Sequence, residues 1–332
     1  MDKIKYYILA TVIMITSVSC SSLRYVEYDI VRPPQILLPG AEPIAVVYNV
    51  KDTAVSEIET LPTDTVRGIF FGMMMKSLKN SIYSQAVESY MMDTPTGKAI
   101  EEDHAEILAE YLGRKSIITL NELAVSPELF ADTLDSDWYL STRRYILRAN
   151  ITMIIPESNG PITYTVNDTL TWQGSGYSLE EAITSLPEQR ETIAEAMVAL
   201  SNKVSEIYLP YREKVGRIYF VSIYPLMRKA DKYWKEEKYD EASYLWEYVF
   251  ENTTNKALQG KAAANMAIYE ELNDRYESAI MWARMAFALF SKKHNFYDSH
   301  IAYMSDYIHQ LKIRVKEKSM LDKNSIYAFP KQ

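Results

Sequence analysis

From residue 144 to 155 the side chains alternate, with Tyr145, Leu147, Ala149, Ile151, Met153 and Ile155 on one side and Arg144, Arg148, Asn150 and Thr152 on the other. A period of two predicts a strand with one apolar face. After Asn159-Gly160-Pro161 a second alternation sets Ile162, Tyr164, Val166, Leu170 and Trp172 against Thr163, Thr165, Asn167, Thr169 and Thr171. The two together predict a long β-hairpin. Upstream, residues 43–50 read as a buried strand, residues 64–91 and 97–112 as helices, the second stopped by Gly113, and residues 115–125 as another strand. Downstream, Ser185 and Glu188 form a capping box, and Ile193, Met197, Leu200, Val204 and Ile207 recur every three or four residues. That spacing predicts a helix over about 186–208, followed by a closing strand at 217–221. Strand, helices, strand, hairpin, helix and strand imply an α+β (mixed α/β) domain around one sheet, over residues 42–221.

Past Tyr224 the pattern changes to helix formers, and the chain echoes itself at 37 residues: Ala230, Tyr239 and Ala242 return as Ala267, Tyr276 and Ala279. Repeats of this length point to stacked helix pairs. The segments 230–242 and 267–279 resemble the tetratricopeptide repeat, in which small residues twelve apart let two helices approach and an aromatic plugs their turn. The resemblance implies packing roles for Ala230, Tyr233, Tyr239, Ala242, Trp246, Ala267, Tyr276, Ala279 and Ala286. Val249, Glu270, Thr254 and Ser291 depart from the family's pattern. Ile301, Met304, Ile308, Leu311 and Val315 supply an amphipathic capping helix. The fold class expected is therefore an α+β (mixed α/β) N-terminal domain followed by an all-α tetratricopeptide-like helical-repeat domain over 222–320, with a tail over 321–332. A plain helical bundle would show the same stripes; only the repeat predicts a concave face.

The first nineteen residues read as a signal: Lys3 and Lys5, an apolar run from Tyr6 to Ile15, then Ser17-Val18-Ser19. Ten residues are too few to cross a bilayer. Cys20, the one cysteine, follows directly, and the site resembles a bacterial lipobox, with Ser17 in place of the family's leucine. That resemblance implies lipid attachment at Cys20. Plain signal-peptidase cleavage after Ser19 is the alternative. Residues 20–41, with Pro33-Pro34 and Pro39-Gly40, read as a tether.

The net charge is −8, and losing residues 1–19 removes Asp2, Lys3 and Lys5, a net +1, which leaves −9. No basic cluster is visible, so neither nucleic acid nor an anionic lipid surface is an expected partner, and membrane attachment rests on the acyl chains. Four tripeptides, beginning at Asp52, Asp64, Asp132 and Asp168, resemble the Asp-Thr-apolar acceptor of a bacterial envelope O-glycosylation system.

Chemistry is sparse. None of the ten glycines forms a phosphate-cradling loop, and Gly174-Ser175-Gly176 lacks the spacing of a nucleophile elbow, so it reads as punctuation at the hairpin's end. The histidines, His104, His294, His300 and His309, show no metal-ligand spacing. Glu101-Glu102-Asp103-His104 offers an acid and a base, but acidic residues also suit a helix start. Phe70-Phe71 and Met73-Met74-Met75 read as core. No catalytic residue, cofactor or metal is expected.

In element order the first domain looks like small periplasmic domains of curli-secretion-type lipoproteins. The whole resembles bacterial envelope lipoproteins with tetratricopeptide-like repeats, a family that brings no activity with it. The expectation is an outer-membrane lipoprotein facing the periplasm, a non-catalytic scaffold that holds an envelope protein on its concave helical face. The alternatives are a glycan binder using Trp172, Trp234 or Trp246, and a hydrolase using scattered carboxylates.

Overall fold

The computed structural model describes residues 23–38, 43–51, 63–81, 87–113, 116–135, 137–155, 160–292 and 298–323. The signal, Cys20, Asp52-Thr53-Ala54, His294 and the tail beyond Lys323 lie outside the described residues. The chain divides into a sheet unit, residues 33–211, and a helical unit whose described part is 23–32 and 212–323.

In the sheet unit the strands are β2 (Ile44–Tyr48), β3 (Val87–Met91), β4 (Ser116–Asp135), β5 (Trp138–Ile154) and β6 (Ile162–Gly176). Their order across the sheet is β3-β2-β4-β5-β6; β2 runs parallel to β3 and β4, and the last three strands are antiparallel. Helices α1 (Thr63–Lys79) and α4 (Gln189–Ser205) supply Phe70, Met74 and Leu78, and Ile193, Met197 and Leu200, to a core with Ile44, Val46, Ile118 and Leu120. Helix α2 (Glu102–Leu112) lies against a smaller cluster of Ala45, Val47 and Ile117. Because both faces of β2 are covered, its five residues are all buried, and the sequence there is continuously apolar rather than alternating.

The hairpin pairs Tyr145 with Leu170, Ala149 with Val166 and Ile151 with Tyr164, and the apolar face of β5 is buried as its alternation predicts. Helix α2 closes on Gly113 at φ 55, the left-handed cap expected there. Other elements differ from the sequence reading. The helix expected over 64–91 stops at Lys79, and Val87–Met91 pair with β2 instead. Strand β4 runs ten residues past Val125, through Pro127. Beyond Leu120 its recorded ladder is with β5 alone, and a strand free on one edge tolerates a residue without an N–H.

The helix expected over 186–208 is α4, and a short helix that the sequence reading did not include, α3 (Leu179–Thr184), precedes it. The N-cap bond belongs to Ser178, whose Oγ accepts from Glu181 N at 3.1 Å, while Ser185 Oγ donates back to Ala182 O at 2.8 Å. Gly174-Ser175-Gly176 is the end of β6, where the sequence reading puts it. A Cβ on Gly174 would fall 2.5 Å from Ala182 O, so the smallness of the two glycines is what lets α3 approach the strand. At the unit's two chain ends, Ile36 N donates to Ile207 O at 2.8 Å.

The helical unit is not all-α. Residues 23–32, expected in a tether, form β1 (Leu23–Arg32), which pairs with β7 (Tyr211–Phe220), the strand expected to close the first domain's sheet. Val26, Tyr28 and Ile30 turn inward between exposed Glu27 and Asp29, an alternation too brief to stand out beside Pro33-Pro34. Among the described residues five helices follow: α5 (Pro225–Lys235), α6 (Tyr239–Asn252), α7 (Lys256–Leu272), α8 (Tyr276–Ser291) and α9 (Asp298–Lys323). Side chains take the place of further strands along β7. Asn265 of α7 donates to Phe220 O at 2.8 Å and accepts from Phe220 N at 2.6 Å; Tyr303 of α9 does the same for Ile218.

The 37-residue echo is also a backbone echo. Lys238 N donates to Tyr233 O and Arg275 N to Glu270 O, both at 2.9 Å, and Glu237 and Asp274 sit between at φ 59 and 56. Each first helix of a pair thus ends in a left-handed closure normally given to glycine. Exposed Glu237→Gly is expected to raise stability by about 0.5–1 kcal/mol, read as a higher urea midpoint at unchanged slope. An unchanged or lower midpoint would mean the left-handed backbone carries no strain.

Candidate functional site

Every repeat-packing residue expected from the sequence lies in or against the core of the helical unit. Ala230, Ala242, Ala267, Ala279, Ala286, Trp246 and Tyr276 are buried, and Tyr233 and Tyr239 pack half-buried against them. Trp234 lies between Tyr239, edge-on at 4.7 Å, and Trp246, tilted at 5.0 Å. Trp234 and Trp246 are thereby closed to any sugar. Trp172, half-buried, packs against Tyr145 and donates its Nε1 to Glu195 at 3.0 Å.

Eleven of the seventeen residues of α7 are buried. Its inner side holds a carboxylate that sequence reasoning missed. Glu271 accepts from Arg217 Nε at 2.8 Å and Nη2 at 2.7 Å, and its Oε2 accepts from Tyr28 and Tyr307 hydroxyls, both at 2.6 Å. Burial pushes the Glu271 carboxyl up, but the bonds and charge of Arg217 and the two hydroxyl bonds outweigh it and hold it below the ordinary range. Burial likewise raises the Tyr28 and Tyr307 hydroxyls well above theirs. The signal available was a carboxylate three residues after Ile268 and four after Ala267, on the apolar stripe of an alanine-rich helix. The arrangement is saturated with donors and has no room for a substrate; it fastens β1, β7, α7 and α9 together.

The outward faces of α6 and α8 are different. Tyr244 (67% exposed) and Tyr248 (46%) stand one turn apart on α6, and Met281 (58%) stands on α8. Between the helices, Phe250 and Trp282 meet edge to face at 5.0 Å and are half-buried. Tyrosine, tryptophan and methionine are the residues over-represented where proteins meet.

In the sheet unit, Glu101 and His104 line a cleft of about 350 Å³ with Met92, Ile107 and Tyr111, while Glu102 and Asp103 occupy the exposed first turn of α2. Asn49 shapes its rim: its Oδ1 accepts from Thr96 N at 2.8 Å and its Nδ2 donates to Lys98 O at 3.0 Å. His300 is stacked on Phe220 at 4.9 Å, and His309 is exposed. Among the described residues no group of three or more His, Cys, Asp or Glu is placed to hold a metal. Phe70, Met74 and Met75 are core. Thr65, Thr133 and Thr169 of the Asp-Thr-apolar tripeptides are exposed. No helix among the described residues is long and apolar enough to cross a membrane.

Residues 77–220 match a family described as a domain of unknown function (DUF8603), and residues 228–313 one described as a domain of unknown function (DUF6340). No curated protein matches the chain. Among solved structures, a protein described as a neuraminyllactose-binding hemagglutinin homolog from Helicobacter pylori is 12% identical, covering 52% of this chain and 83% of its own, with a TM-score of 0.30. Rare lipoprotein B from Shewanella oneidensis is 7% identical over 49% of this chain and 91% of its own, with a TM-score of 0.26. A minor lipoprotein from Acinetobacter baumannii is 11% identical over 51% and 90%, with a TM-score of 0.24.

Proposed function

We propose that this chain is a bacterial envelope lipoprotein, held in the outer membrane through acyl groups on Cys20 and facing the periplasm. Its tetratricopeptide-like helical unit acts as a non-catalytic adaptor for another envelope protein. The anchor is supported by the signal pattern of residues 1–19 ending at the one cysteine. The repeat is supported by the paired alanines and by the twin closures at Glu237 and Asp274.

The observation that carries the adaptor reading is the exposed Tyr244, Tyr248 and Met281 beside half-buried Trp282. The partner docks on the outward faces of α6 and α8.

A photo-crosslinking group at position 244, 248 or 281 is expected to give one discrete species in intact envelopes, and none from position 312 on α9. Tyr244→Ala with Tyr248→Ala should weaken that association roughly tenfold or more. Equal crosslinking from all four positions would sink the adaptor. Mass spectrometry of the native N-terminal peptide should find Cys20 acylated, and a bare thiol there would sink the anchor.

A further inference from the structure

The sequence reading expects no basic cluster, yet Arg228, Lys229 and Lys232 stand within five residues and folding brings two further cations to them. In the helical unit a cleft of about 1030 Å³ is lined by Arg24 at the head of β1, Arg228, Lys229 and Lys232 on α5, and Lys261 on α7. These five cations come from three elements spread over more than two hundred residues. Among the described residues the one carboxylate in the lining, Asp231, already faces Arg24 at 3.1 Å, Lys235 at 2.9 Å and the Tyr219 hydroxyl at 2.9 Å. Among the described residues no carboxylate lies within ion-pair distance of Arg228 or Lys261.

Lys261 is half-buried, and burial pushes its ammonium below the ordinary lysine range. A desolvated cation without a counter-ion is a standing cost that an incoming anion removes. The start of α5, with Pro225 in its first turn, borders the same cleft and adds the positive end of its dipole. The cleft therefore selects a compact anion with several acceptor oxygens, which is phosphate chemistry.

Two observations favour a lipid as its source. Ile223, part of the lining, is 86% exposed, and Tyr224 beside it is also exposed, so an apolar edge flanks the cations as it does where proteins rest on headgroups. Arg24 follows Cys20 by four residues, a reach of at most about 14 Å of chain. So short a span keeps Arg24 near the leaflet that carries the anchor.

We propose that this cleft binds the phosphate of an anionic phospholipid headgroup and seats the helical unit on the leaflet that carries the anchor. The choice of lipid over a soluble anion rests on the anchored reading; the cleft's preference for an anion does not.

The test uses the chain from residue 20 with Cys20→Ser, which keeps every described residue and cannot be acylated. It is expected to float with vesicles of phosphatidylglycerol and phosphatidylcholine and not with phosphatidylcholine alone. Arg228→Gln with Lys261→Gln should lower that partition roughly tenfold or more, and Arg228→Lys with Lys261→Arg should retain it, which separates lost charge from lost fold.

Equal flotation with both vesicles, or neutral and charge-keeping variants that behave alike, would overturn the proposal. Displacement from vesicles by millimolar inorganic phosphate, or binding to polyglutamate without binding to vesicles, would assign the cleft to a soluble ligand and overturn it too. Because position 20 is serine here, an unacylated native Cys20 with selective flotation intact refutes only the anchor. An acylated Cys20 with no selectivity refutes only the cleft.

Discussion

Glu271→Ala is expected to destabilise the helical unit by about 3–5 kcal/mol, a large share of what holds any domain folded. The side chain of Glu271 is fully buried and that of Arg217 nearly so, so both charges have lost their water. What compensates is geometry: two parallel bonds from the guanidinium and two short hydroxyl bonds fill the carboxylate's acceptor sites. Removing the carboxylate leaves Arg217 with the carbonyl of Gly216 and the face of Tyr307, neither of which carries a countercharge.

Replacing both partners with methionine should recover most of the loss, because an apolar pair leaves no orphaned charge. Urea unfolding of the whole chain, followed by hydrogen exchange on α7 and α9, reads the effect. A loss below about 1 kcal/mol for Glu271→Ala would show the network to be dispensable.

The same contact sets a pH dependence. The Glu271 carboxyl titrates lower in the folded chain than in the unfolded one, so its contribution is complete above the ordinary carboxylate value and is lost as pH falls through the depressed one. Glu271→Gln should flatten that part of the acid-unfolding curve.

In the sheet unit the largest single loss is expected from Tyr145→Ala, about 3–5 kcal/mol. Tyr145 is fully buried on β5, its ring stands edge-on to Trp172 of β6 at 5.6 Å, and its hydroxyl meets Thr192 Oγ1 of α4 at 3.1 Å. One side chain thus bridges two strands and the helix above them. Tyr145→Phe separates packing from hydrogen bonding. Thr192 Oγ1 also lies 3.0 Å from Gln189 O and keeps that partner, so the phenylalanine should cost only about 0.5–1.5 kcal/mol. Equal losses from the two substitutions would mean the hydroxyl, not the ring, is what matters. Denaturant midpoints at matched slope decide it.

Local patterns carried the parts of this fold that local physics decides. The alternation through Tyr145–Met153 fixed a face and hence a register, and Gly113 marked a helix end, because side-chain period and left-handed backbone are legible within a few residues. What escaped depends on partners far along the chain. Leu23–Arg32 is a strand because β7 lies some two hundred residues on, and Pro33-Pro34 next to it argues locally for a tether.

The candidate surfaces follow the same rule. Spacing located the small and aromatic residues that fill the helical core, from Ala230 to Ala286. It could not show that Glu271 meets Tyr28 across 243 residues, nor that Arg24, Arg228 and Lys261 line one cleft. Convergence of charge is a property of the folded surface.

The Ile36–Ile207 bond has a consequence for assembly. Bringing Tyr28 to Glu271 through a flexible loop of 243 residues would cost about 5 kcal/mol in closure entropy. A sheet unit that folds first, with its two exits pinned by that bond, hands β1 and β7 to each other already side by side and removes most of the cost. Strand β1, although it precedes the sheet unit in the chain, is then enclosed after it.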